Sequence, residues 1–140
     1  MKEQLKLSSQ LCFPLYAVSK EVVSKYTPLL KPYDLTYTQY IVLLVLFEER
    51  QLSVNELGNK VYLDSGTLSP LLKKLENKGL LARKRLKNDE RVVMVSLTEK
   101  GQLLENKLEN IPYQIAQCFN LEKEEALTLY SLLYKLLSQN

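Results

Sequence analysis

At Gly79 the chain changes its apolar period, and any fold has to accommodate that change. Upstream, residues from about Ser65 to Lys78 have the pattern of a helix that the glycine stops. Downstream, Leu81-Ala82-Arg83-Lys84-Arg85-Leu86 and Val92-Val93-Met94-Val95-Ser96-Leu97 are extended segments. They flank the polar turn Lys87-Asn88-Asp89-Glu90-Arg91, which is the pattern of a β-hairpin with a charged tip. A shorter helix precedes the first: Ser53 and Glu56 have capping-box spacing and open a segment through about Lys60, with Val54, Leu57 and Val61 on one face. Short helix, tight connection, second helix and hairpin, in this order, are the parts of a winged helix-turn-helix.

The start of the second helix is contested by local rules. Ser69-Pro70 makes a good cap and first helical position, which favours a start at Ser69. A start near Ser65 places Pro70 inside the helix at the loss of a hydrogen bond. Helical spacing also runs from about Ser8 to Leu30 (Leu11, Leu15, Val18, Val22, Tyr26, Leu29), with Pro28 and Pro32 at its end. Thr36 and Gln39 form a further capping box ahead of an apolar helix from about Tyr37 to Glu48. Thr98 is placed to cap a helix running toward Phe119 with a disturbance at Pro112, and Asn120 to cap a last one ending near Ser138. In the last helix Ala126, Leu129, Leu133 and Leu136 form one stripe that Leu127, Tyr130, Tyr134 and Leu137 widen well beyond one-sided burial. A second copy of the chain is the expected cover, so the chain is predicted to be a homodimer.

Charge is concentrated in the same region as the hairpin. Between Lys73 and Arg91 eight basic residues face three acidic ones, a local net of +5. The other 121 residues carry 11 basic and 13 acidic side chains, a net of −2. Such a concentration is self-repelling, and a polyanion compensates it, so double-stranded nucleic acid is the expected partner. The chain has no histidine, which excludes imidazole-based catalysis and His-based zinc sites. Two cysteines, Cys12 and Cys118, cannot complete a Cys-type zinc site, and no glycine-rich phosphate loop is present. No cofactor and no enzymatic activity are expected. At 140 residues one core can bury roughly 70% of the unfolded chain's surface, enough for a single domain. The longest apolar run, Tyr40 to Phe47, is too short for a bilayer, so no membrane partner is expected. Leu11 to Ser19 imitates a secretory signal, but Pro14 and Tyr16 interrupt it and Glu3 spoils its basic start; the expected location is cytoplasmic.

Several segments together resemble the MarR family of dimeric transcriptional regulators, and more closely its OhrR/SarZ/MgrA branch of thiol-based oxidation sensors. They are Gln10-Leu11-Cys12-Phe13, Asp34-Leu35-Thr36-Tyr37, the run from Leu63 to Lys73, Asp89-Glu90-Arg91 and Leu97-Thr98. The resemblance covers nearly the whole chain. It implies a mainly α (α+β) fold, with a winged helix-turn-helix over about 36–97 and helical dimerisation parts over about 1–35 and 98–140. It also implies a recognition helix that starts near Ser65 and tolerates Pro70. By residue type, Ser65, Thr67 and Ser69 can approach base edges or phosphates, and Lys73 and Lys74 can anchor phosphates. Their ordinary alternative is helix capping. The resemblance implies that Arg91, oriented by Asp89, enters the minor groove from the wing tip, its ordinary alternative being a surface salt bridge in a turn. Arg83, Lys84 and Arg85 divide between groove-facing and solvent-facing sites, and Arg83, Arg85 and Lys87 are the further wing residues expected at DNA.

The cysteines admit two readings. If Ser9 caps the first helix, Cys12 sits in the first turn, where unpaired N–H groups and the helix dipole favour thiolate, and Tyr16 lies one turn on along the same face. A cysteine among Leu11, Phe13 and Leu15 is more often a packing residue. The resemblance implies the first reading: peroxide oxidises Cys12, Tyr26 approaches the sulfur from the other subunit, and either the sulfenic acid couples to a small thiol or Cys118, a candidate resolving thiol, closes an intersubunit disulfide, the second route being preferred. Oxidation then releases a pseudo-palindromic operator, repression being the expected mode. Two alternatives are control by a small aromatic ligand in the dimer crevice, and a helical protein-interaction adaptor whose basic hairpin grips an acidic partner.

Overall fold

The computed structural model of the chain describes residues 1–138. Seven helices and a three-stranded sheet are built in the order α1 (Cys12–Leu30), α2 (Tyr37–Glu49), β1 (Gln51–Ser53), α3 (Val54–Val61), α4 (Ser65–Asn77), β2 (Leu81–Arg85), β3 (Val93–Leu97), α5 (Glu99–Leu108), α6 (Ile111–Ala116) and α7 (Lys123–Leu137). Short 3₁₀ turns precede α1 and join it to α2. The fold is therefore mainly helical with a small antiparallel sheet, a winged helix. No helix among the described residues is long and apolar enough to cross a membrane.

Local chemistry accounts for most of the boundaries. Thr36 Oγ1 accepts from the Gln39 N–H at 3.3 Å while Gln39 Oε1 accepts from the Thr36 N–H at 3.1 Å, closing the expected capping box of α2. Ser53 and Glu56 repeat the arrangement at α3. Thr98 Oγ1 accepts from the Gly101 N–H at the start of α5 and donates to the Gly79 carbonyl at 2.5 Å, binding the end of the α4 turn to α5. Gly79 itself lies in the left-handed region at φ 77, which glycine adopts without the Cβ penalty, so the helix stops there. Gly101 is required for a different reason. A Cβ there would overlap the Leu80 carbonyl oxygen, against which α5 is pressed.

Two expected caps are corrected. Ser9 belongs to the 3₁₀ turn Leu7–Ser9, and α1 opens at Cys12 behind Leu11, whose backbone is already helical and which offers no capping side chain. The thiol still occupies the first helical position. Asn120 is not the cap of α7: that helix opens behind Glu122, whose N–H donates to Glu125 Oε1 at 2.9 Å, so the carboxylate three residues on captures the free N–H group. The expected helix from Glu99 toward Phe119 is split at Glu109-Asn110, with Pro112 in the first turn of α6, where its missing N–H costs nothing.

The sheet order is β1-β3-β2, all antiparallel, with Leu52 opposite Val95 and Arg83 opposite Val95 on the other side. Three-residue β1 carries too short a pattern to be read from sequence. The core gathers where α2, α3, α4 and the sheet meet: Tyr40, Leu43, Leu46, Leu57, Leu68, Leu72, Leu75, Leu81 and Val95 are all buried. Truncating one of these leucines to alanine costs about 2–5 kcal/mol in such a core. By contrast α7 buries none of its residues in the single chain, and Leu127, Leu129, Tyr130, Leu132, Tyr134 and Leu136 are exposed.

Candidate nucleic-acid interface and thiol site

The recognition-helix position is set at Asp64, whose Oδ1 accepts from the Thr67 N–H at 2.7 Å. That bond, donated chiefly by the backbone, holds the Asp64 carboxyl below the usual carboxylate range. Ser65 therefore opens α4, and Pro70 lies inside it. The proline removes the partner of only one carbonyl, that of Gly66, which is exposed and open to water. Buried Leu68, Leu71, Leu72 and Leu75 turn the opposite side of α4 outward, so Ser65, Thr67, Ser69, Lys73 and Lys74 are all exposed. At 100° per residue, Ser65, Ser69 and Lys73 share one exposed strip, whereas Thr67 and Lys74 lie round the other flank.

The wing converges on the first of these strips. A groove of about 320 Å³ runs between α4 and the hairpin, lined by Ser69, Arg83, Arg85 and Arg91, with Ser53 and Asn55 from the start of α3. Arg83 is pinned rather than free: its Nη2 donates to Glu76 Oε1 and its backbone N–H to Glu76 Oε2, each at 3.2 Å. The Arg83 guanidinium in turn holds the Glu76 carboxyl below its ordinary range. Arg85 Nη1 donates to the Glu90 carbonyl at 2.7 Å, closing the wing tip. The Arg91 N–H and Nε both donate to Asp89 Oδ1 at 3.1 Å, and its Nη2 to Oδ2 at 3.3 Å, so Asp89 fixes the direction of the guanidinium. The Arg91 side chain is nonetheless 90% exposed, and its hydrogen bonds to Asp89 keep that carboxyl below the usual range. Lys87 is exposed on the wing turn. Lys74 is the outlier: it lines a separate cavity of about 520 Å³ with Lys31, Asp34 and Lys78, away from the wing arginines.

One groove residue, Asn55, and one residue that holds a groove arginine, Glu76, escape the sequence reading. Asn55 lies in the first turn of α3 and opens on the groove, and Glu76 fixes Arg83 from seven positions upstream. Asp64 was legible in principle, because an aspartate three residues before Thr67 is a cap spacing. Nothing local marks Asn55 or Glu76; only the packing of hairpin on helix brings them into play. Together the groove and the exposed strip offer guanidinium and hydroxyl donors to an anion lattice, on a helix of the diameter a DNA major groove admits.

Both thiols are free and exposed. Cys12 holds the first position of α1, where backbone N–H groups have no helical acceptor. Lys20 Nζ stands 5.2 Å from the Tyr16 ring centroid, one turn beyond Tyr16 on the same helix. Tyr26 is 14 residues from Cys12, about 21 Å along the axis, so it is out of reach of the thiol of its own chain. Instead its ring packs against Tyr37 at 4.7 Å and Tyr40 at 5.5 Å. Burial, and then the neighbouring Tyr40 and Tyr37, push its phenol up to about 12. Cys118 follows α6 and donates from its sulfur to the Gln114 carbonyl at 3.5 Å. Its neighbour Phe119 lies 6.0 Å under Lys25, at the far end of α1. Lys25 is 13 residues, about 20 Å along the α1 axis, beyond Cys12, and no disulfide joins the two cysteines in the single chain.

Comparison with known proteins places this geometry in context. Residues 24–108 match the family described as Transcriptional regulator SarA/Rot. The organic hydroperoxide resistance transcriptional regulator of Bacillus subtilis is 47% identical over 135 residues, covering 96% of this chain and 92% of that protein. The HTH-type transcriptional regulator SarZ of Staphylococcus aureus is 46% identical over 138 residues, covering 99% and 93%. Among solved structures, reduced AbfR bound to DNA superposes with a TM-score of 0.80 at 35% identity, covering 98% of this chain and 95% of that one; AbfR is a Staphylococcus epidermidis protein. The disulfide-formed state of AbfR superposes with a TM-score of 0.67 at 36% identity, covering 96% and 95%.

Proposed function

Because this chain belongs to the SarA/Rot group of MarR-like winged-helix transcriptional regulators, alongside the organic hydroperoxide resistance regulator and SarZ, we propose that it is an oxidant-sensing DNA-binding regulator, its hold on a double-stranded operator set by the redox state of Cys12. One juxtaposition carries the reading. Ser69 of α4 and Arg83, Arg85 and Arg91 of the hairpin border a single groove beside the exposed strip of α4. The strip takes base edges in the major groove; Lys73, Lys74, Arg85 and Lys87 take phosphates, and Arg91 reaches the minor groove. Arg83, tied to Glu76, stiffens the wing against α4.

Two copies present two such heads to a pseudo-palindromic operator. Residues of about 36–97 form the DNA-binding part, and about 1–35 and 98–140 the dimerisation part, whose last two residues lie outside the described ones. The exposed apolar face of α7 and the exposed Leu11, Phe13 and Leu15 at the start of α1 supply the apolar surface that a second copy covers. The bound regulator represses.

Oxidation runs through balanced steps. The Cys12 thiolate attacks a peroxide oxygen; the O–O bond breaks, an alkoxide leaves and takes a proton, and Cys12 becomes a sulfenic acid. The thiol of Cys118 of the partner subunit then displaces water from that sulfur and closes an intersubunit disulfide. Tyr16, and Tyr26 of the partner subunit, donate phenolic hydrogen bonds to the thiolate before the first step. That this chain superposes better on DNA-bound AbfR, reduced or overoxidized, than on disulfide-formed AbfR supports reading its conformation as DNA-competent.

Duplex affinity measured before and after mild hydroperoxide treatment, in the wild type and in Cys12→Ser, tests the reading. Affinity is expected to fall in the first and to hold in the second. Non-reducing electrophoresis of the treated wild type, Cys12→Ser and Cys118→Ser should show a covalent dimer in the wild type alone. Absence of that dimer while affinity still falls rejects the bridge and leaves sulfenic acid as the switch.

A further inference from the structure

The recognition helix is tied at its far end to the connection between α1 and α2, and one side chain makes the tie. Lys78, the residue that ends α4, donates from Nζ to the Asp34 carbonyl and to Gln39 Oε1 at 3.3 Å, and pairs with Asp34 Oδ2 at 3.4 Å. Both partners are prepared for it. Asp34 takes the left-handed conformation, φ 54, at the end of the 3₁₀ turn Lys31–Tyr33 that continues α1. Gln39 is the one buried polar residue among those described, at 4% exposure, and the same Oε1 already accepts from the Thr36 N–H. Lys78 thus enters the capping box of α2. Its own carbonyl accepts from Lys100 Nζ at 2.8 Å, so α5 holds the same point from behind.

Glu76 ties α4 to Arg83 of the wing, but toward the other helices α4 otherwise packs through leucines, and apolar contact is non-directional: it holds a helix against its neighbours without fixing its rotation or slide. A hydrogen-bonded cation with three oxygen contacts does fix them. The tie also lies on the physical route between the two halves of the proposed function. The thiol opens α1, the α1 chain ends at the Asp34 turn, and that turn holds α4. We propose that Lys78 is a positioning residue: it sets the pose of α4 relative to α1 and α2, and the Lys78–Asp34–Gln39 joint is where a change in the disposition of α1 reaches the recognition helix. The inference rests on the redox-controlled DNA binding proposed above.

Its test is duplex affinity across a salt series, for reduced and hydroperoxide-treated protein, in the wild type, Lys78→Met and Lys78→Arg. Methionine keeps most of the stem and removes the charge and donors. Lys78→Met is expected to bind about tenfold more weakly when reduced, with an unchanged salt slope, and to lose most of the difference between reduced and oxidised affinity. Lys78→Arg should restore both. Amide exchange at Thr36 and Leu35 should quicken in Lys78→Met and recover in Lys78→Arg. A shallower salt slope in Lys78→Met would make Lys78 a phosphate contact and overturn the proposal. So would a peroxide response equal to that of a responsive wild type, which overturns the joint alone. A wild type that ignores duplex or peroxide overturns the functional reading, and the role of Lys78 in it.

Discussion

Arg91 is held by Asp89 through three hydrogen bonds and still extends into solvent, the arrangement of a side chain aimed before its partner arrives. Arg91→Ala is expected to weaken operator binding and to reduce the salt slope by about one ion equivalent, measured by anisotropy at several salt concentrations. Unchanged affinity and slope would remove the wing tip from the interface. The Asp89 carboxyl is held low by Arg91, so this orientation persists from neutral pH down through the ordinary carboxylate range and is lost as pH falls through the depressed value. Tyr26 shows the opposite sign. Its phenol is raised from 10.0 to about 12, so it is a neutral O–H donor at any physiological pH. The stability it contributes is complete below pH 10 and falls as pH rises toward 12. A phenolate absorbance titration should lose its highest-pH component in Tyr26→Phe; loss from the bulk transition near 10 instead would contradict the buried cluster.

Elements were legible where a local rule decides them and illegible where packing does. The capping boxes at Thr36 and Ser53 and the stop at Gly79 are each a few residues of sequence, and the structure contains them. The tie between Ser65 and Ser69 as helix start is broken by Asp64, a cap outside the pair under comparison. Ser9 and Asn120 fail as caps because neighbouring turns and Glu122 with Glu125 take the positions. Strand β1 needs β3 beside it to exist at all, and Glu76 meets Arg83 only after the hairpin has folded back on α4. The family resemblance brought the thiol and the wing arginine into view; the chain's own pattern left Cys12 between chemistry and packing. Gly101 is an element-scale constraint of the same packed kind. Gly101→Ala should lower stability by about 1–3 kcal/mol, because α5 must retreat from Leu80; a urea midpoint unchanged from wild type would show that the helix can move freely.

For the whole molecule, the decisive surface is α7, which contributes nothing buried to a single chain despite its leucines and tyrosines. Leu129→Glu with Leu136→Glu is expected to turn the proposed dimer into a monomer in sedimentation and to weaken operator binding with it, since one head then binds without its twin. A dimer that survives both charges would move the interface elsewhere. The sheet has a parallel lesson. Its outer margins are β1, only three residues long, and β2, which carries Arg83, Lys84 and Arg85 in succession. An open margin of unpaired backbone groups invites strand-on-strand growth between molecules, and mutual repulsion of lysines and arginines is one way proteins forbid it. Arg85, proposed to grip an operator, therefore also guards the hairpin, with Arg83 and Lys84, against fibre-like stacking. Binding-deficient variants made by putting valine or isoleucine along that strand would be expected to precipitate, where glutamine or glutamate would keep them in solution.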